Sequence, residues 1–87
     1  MRAEPLVHIV DDDEAVRDAL FELLDAAGFS ARLYESAAAF LRALPQLDGG
    51  CLITDVRMPE MSGLDLLRRM RSQGVEMPVI VLTGEAD

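Results

Sequence analysis

Acidic residues stand at the ends of this chain's apolar segments. Leu6-Val7-His8-Ile9-Val10 runs straight into Asp11-Asp12-Asp13, Cys51-Leu52-Ile53-Thr54 ends on Asp55, and Pro78-Val79-Ile80-Val81-Leu82 ends on Thr83-Gly84. If these segments are parallel strands of one sheet, their carboxyl ends share one edge. In open α/β sheets that edge is where ligands bind. Three acids and a hydroxyl would then meet in one small pocket. Such a pocket suits a hard divalent cation and a phosphoryl group.

Asp55 is the candidate nucleophile. A carboxylate at the end of an apolar strand can attack phosphorus and form an acyl phosphate. Alone it would read as a turn aspartate, because Asp favours turns. Asp11 and Asp12 raise its weight. Unit charges about 5 Å apart repel by roughly 3 kcal/mol at an effective dielectric of 20. A cation would offset that repulsion, and Mg²⁺ takes oxygen ligands while bridging to phosphate. The backbone carbonyl of Arg57 is a further candidate ligand. Asp13 is read instead as a helix cap, where its charge meets the positive end of the helix dipole. Thr83 would donate its hydroxyl to a phosphoryl oxygen, and Gly84 would leave that group room. His8 has no second histidine or cysteine cluster beside it, so a packed, hydrogen-bonded role is expected. Cys51, the sole cysteine, opens a strand and reads as a buried structural thiol.

The elements that would position these groups follow from periodicity and punctuation. A strand covers Leu6 to Val10. A helix from Asp13 to Ala27 follows, with Val16, Ala19, Leu20, Leu23, Leu24 and Ala27 at helical spacing and Gly28 closing it. Phe29 to Tyr34 reads as a strand. Ser36 opens a second helix through Phe40, Leu41 and Leu44, stopped by Pro45. Asp48-Gly49-Gly50 is a turn. After the Asp55 strand, a loop leads to Ser62, which caps a third helix with Asp65 as capping-box partner. Leu64, Leu67 and Met70 give that helix an apolar stripe, and Gly74 ends it. Strand and helix alternate throughout, which predicts a parallel sheet with helices on both faces.

Composition narrows the function classes. With 87 residues, one domain is expected, near the low end for a self-sufficient core. The net charge of −8 argues against direct nucleic-acid contact, since phosphate backbones are held by Lys and Arg. The basic cluster Arg68-Arg69-Arg71 reads as a solvated helix face. One cysteine excludes an intrachain disulfide. No signal peptide or membrane-length apolar run is seen, so a cytoplasmic location and no membrane contact are expected.

Taken together, "VHIVDDDEAVR" at 7 to 17, "LITDVRMPEMSGLDLL" at 52 to 67 and "PVIVLTGEAD" at 78 to 87 resemble the receiver domain of two-component response regulators. "ESAAAFL" and "LTGEAD" are similar to the FixJ-like subgroup, which often carries a LuxR-type DNA-binding effector domain. The resemblance implies a flavodoxin-like doubly wound sheet of order 2-1-3-4 in this chain. It implies Asp55 as acceptor of a phosphoryl group from a histidine kinase. Asp12 would be the direct Mg²⁺ ligand, Asp11 a ligand largely through water, Arg57 the carbonyl donor and Thr83 the switch hydroxyl. Residues 1 to 87 would form a partial receiver: the family's fourth helix, fifth strand and fifth helix have no counterpart. The family's fifth-strand lysine, which contacts the phosphoryl group, and its switch aromatic would be missing as well. The fourth strand would then be a bare edge open to homodimer formation. A non-phosphorylatable fragment acting as a dimerising interaction module is the alternative expectation.

Other chemistries fit less well. A phosphatase of the haloacid-dehalogenase type needs a second acid two residues past its nucleophile, where this chain has Arg57. A calcium loop starting at Asp11 would place Asp13 and Glu22 correctly, but Ala15 and Val16 stand where a ligand and a glycine are needed. No glycine-rich turn follows the first strand, which disfavours a dinucleotide site.

Overall fold

The computed structural model describes residues 6–83. Four parallel strands form one sheet in the order β2-β1-β3-β4: β1 (Leu6–Val10), β2 (Ser30–Tyr34), β3 (Cys51–Asp55) and β4 (Val79–Leu82). Helices α1 (Glu14–Ala26), α2 (Ala37–Ala43) and α3 (Gly63–Ser72) alternate with them. Val10 pairs with Thr54 across β1 and β3, and Asp55 with Leu82 across β3 and β4. This register brings Asp11, Asp55 and Thr83 to one edge, as the strand-end pattern requires. The doubly wound architecture and its strand order are those expected from the sequence.

Local chemistry sets the helix starts. Asp13 accepts from the amides of Ala15 and Val16, and Ser36 accepts from Ala39. Ser62 and Asp65 form a reciprocal capping box. Gly28 and Gly74 adopt φ values of +92° and +80°, which only glycine takes without strain. Pro45 does not stop α2 outright. It sits inside a 3₁₀ turn, Leu44–Gln46, where a proline's missing amide costs nothing.

The core lies on one face of the sheet. Val10 and Leu52 meet Phe40 and Leu44 from the α2 region and Leu66, Met70 and Met77 from the α3 side. Tyr34 stands edge-on to Phe40 with ring centroids 5.2 Å apart. The apolar stripe expected on α3 holds at Met70 and fails at Leu64. In α3 the buried positions are Gly63, Leu66 and Met70, while Leu64 is exposed. The close seat of Gly63 against β3 fixes the rotation of the helix. In α1 no residue is buried, and Leu23 is 66% exposed. That helix rests on β1 and β2, so Ile9 is covered but Ile80 and Leu82, on the same face, stay exposed. Among the described residues β4 is an edge strand. Cys51 is half-buried rather than buried.

Candidate functional site

Asp11, Asp12 and Asp55 each present a carboxylate oxygen, all within 4.8 Å of one another. They line a pocket of about 360 Å³ with Asp13, Val16, Leu82 and Thr83. The sequence-predicted acids and the hydroxyl therefore meet in one place. Arg57 is exposed in the loop after β3, and it is not among the residues lining this pocket. Gly84 lies outside the described residues.

Asp11 is the buried member of the three, and almost every polar group it owns is engaged. Its amide donates to the Tyr34 carbonyl at 3.2 Å. Its Oδ1 accepts from the Asp13 amide at 2.9 Å. Its carbonyl accepts from Arg17 Nη1 at 2.7 Å. Burial pushes the Asp11 carboxyl above its ordinary range; the Asp13 amide bond pulls the other way, and the charges of Asp55, Asp12 and Asp13 push it further up. Three carboxylates gathered within 4.8 Å form an all-oxygen donor set, which fits a hard cation.

The backbone behind Asp55 is equally constrained. Thr54, fully buried, donates its hydroxyl to the Asp55 carbonyl at 3.2 Å. The Gly63 amide donates to the Val56 carbonyl at 3.0 Å. A Cβ at position 63 would overlap the Asp55 carbonyl oxygen and press on Thr54 Cγ2. Arg17, Thr54 and Gly63 were not singled out by sequence reasoning as contacts of the acids. All three act on backbone groups, which leave no pattern of side-chain types. Arg17 alone carries a signal: it is a cation near a helix N-terminus, against the dipole.

Two other expectations concern the surroundings. His8 is fully buried, with Nδ1 3.1 Å from the Tyr34 hydroxyl and Nε2 3.1 Å from the Gly49 carbonyl. It is a packed, hydrogen-bonded histidine. The basic cluster on α3 is exposed, yet Arg71 is not merely solvated. Its Nη1 donates to the carbonyls of Val75 and Met77, bracing the turn into β4.

The model for the response regulator receiver domain matches residues 7–87. The chain belongs to the receiver family. It is 48% identical over 81 residues to the transcriptional regulatory protein FixJ of Bradyrhizobium diazoefficiens, covering 93% of this chain and 40% of that protein. It is 48% identical over 84 residues to the response regulator protein TmoT of Ectopseudomonas mendocina, covering 97% of this chain and 38% of that one. Among solved structures, the crystal structure of FixJ-N superposes with a TM-score of 0.91 at 44% identity, covering 99% of this chain and 69% of that chain. The receiver chain thus spans less than half the length of the curated relatives it matches. Among the described residues, no helix of this receiver is long and apolar enough to cross a membrane.

Proposed function

We propose that this receiver accepts a phosphoryl group on Asp55 from a phosphohistidine of a partner histidine kinase, with Mg²⁺ as cofactor. The supporting observation is the meeting of three strand-end carboxylates within 4.8 Å, in a pocket that Thr83 also lines. A carboxylate oxygen of Asp55 attacks phosphorus as the bond to the kinase imidazole breaks. The imidazole leaves neutral after taking a proton, and Asp55 carries an acyl phosphate. Asp11, Asp12, Asp55 and the Arg57 carbonyl are the proposed ligands. When bound, the cation supplies charge neutralisation at the phosphoryl oxygens. Thr83 donates its hydroxyl to one of those oxygens.

On this reading the domain is a signalling switch rather than a turnover enzyme, acting in the cytoplasm. Its state passes to a transcriptional output, with a LuxR-type effector domain as the proposed reader. The segment itself makes no nucleic-acid contact. Incubation with acetyl phosphate and Mg²⁺ tests the proposal by mass spectrometry. The chain should gain one phosphoryl group and Asp55→Asn should gain none; equal labelling of the two would move the acceptor elsewhere.

A second reading is favoured by the exposed Ile80 and Leu82 on an edge strand. Here the chain is a homodimerising module joined through β4, with phosphorylation lost. A chain that fails to label yet self-associates through β4 would support this reading.

A further inference from the structure

We propose that Arg17 is a positioning residue for the cation site: its guanidinium pins the β1–α1 turn so that Asp11 keeps one carboxylate oxygen free for the cation. The proposal rests on the reading of Asp11, Asp12 and Asp55 as a cation site. Arg17 occupies the opening of α1, where its amide closes a helical bond to the Asp13 carbonyl at 3.0 Å. A cation near a helix N-terminus opposes the dipole. Here the side chain turns back instead, and Nη1 reaches the Asp11 carbonyl at 2.7 Å. A bond that short to a charged donor is among the stronger hydrogen bonds.

The consequence follows from what else holds Asp11. Its amide is tied to β2 through the Tyr34 carbonyl, and Oδ1 is tied forward to the Asp13 amide. The carbonyl bond to Arg17 is the one restraint among the three supplied by a side chain. It fixes the peptide that joins Asp11 to Asp12, and hence the relative placement of two proposed ligands. Without it that peptide is restrained only by the flanking bonds from the Asp11 and Asp13 amides, and the two carboxylates are less firmly aimed. Partners of ligating groups contribute to metal affinity in this way.

The sign of the effect separates positioning from simple charge. Arg17 carries a positive charge beside a cation site, so removing it should tighten Mg²⁺ binding if electrostatics alone mattered. Positioning demands the opposite. Calorimetric titration with Mg²⁺ on Arg17→Met should therefore show affinity reduced about tenfold, with thermal unfolding in chelator verifying that the variant is folded at the titration temperature. Should Arg17→Met not fold, Arg17→Gln serves, because its amide stops two bonds short of Nη1 and should weaken binding likewise. Arg17→Lys, which keeps a charged donor, should recover most of the affinity. Unchanged or tighter Mg²⁺ binding in the folded neutral variant overturns the proposal. Asp12→Asn runs alongside: if it too leaves Mg²⁺ binding intact, the cation reading fails rather than the role of Arg17.

Discussion

At the scale of single residues, three acids lie together at the pocket, and on the proposed reading a bound cation would offset their repulsion. This gives a paired expectation for Asp12→Asn. Without divalent cations the variant should unfold at a higher temperature than the wild type, because one of the charges pushing on Asp11 is gone. With added Mg²⁺ the wild type should gain stability and the variant should gain little. Scanning calorimetry with and without chelator reads both halves. A wild type indifferent to Mg²⁺ would count against the cation site.

His8 gives a pH expectation. Burial holds its imidazole below the ordinary value of 6.5; the bond to the Gly49 carbonyl raises it in part, and nearby Arg32 lowers it further. Tyr34, the other group on the ring, offers its hydroxyl to Nδ1. The unfolded chain takes up a proton near 6.5 while the folded chain resists it. Folding stability from this group is therefore complete above that pH and falls as pH drops below it. Urea midpoints compared at pH 7.5 and 5.5 should fall on acidification in the wild type. The fall should be smaller in His8→Gln, whatever that variant's baseline.

Elements show where sequence reading succeeds and where it stops. Caps and stops were legible because they are local: Asp13, Ser62 with Asp65, Gly28 and Gly74 announce themselves within a few residues. The acids of the site were legible for a related reason, since parallel strands deliver their ends to one edge whatever the details. The rotation of α3 was not legible. It is set by the backbone-close seat of Gly63 on Asp55, a contact between segments that no residue pattern encodes. Leu66 rather than Leu64 is buried as a result. Arg17 and Thr54 were missed likewise, because each holds a carbonyl that every residue type possesses. Gly63→Ala tests the seat. Overpacking of this kind costs about 1–3 kcal/mol, and here it should also displace Asp55. Denaturant unfolding should show the loss of stability. Phosphorylation by acetyl phosphate should fall by more than the unfolded fraction explains.

Over the whole molecule, the two sheet faces are unequal. The α2–α3 face holds the main hydrophobic cluster, whereas the α1 face leaves Ile80 half exposed at 50% and Leu82 at 37%. Among the described residues β4 is also a sheet edge, and an edge strand beside exposed apolar side chains is prone to pairing. Sedimentation should show concentration-dependent association of the chain, and Ile80→Lys should shift it toward monomer. A monomer at all concentrations would argue against a β4 interface.

Leu82 belongs to two places at once: it lines the acidic pocket and forms part of the uncovered sheet face. An occupant that covers Leu82 from the apolar side would border the acidic pocket, and any linkage between the two would run equally in both directions.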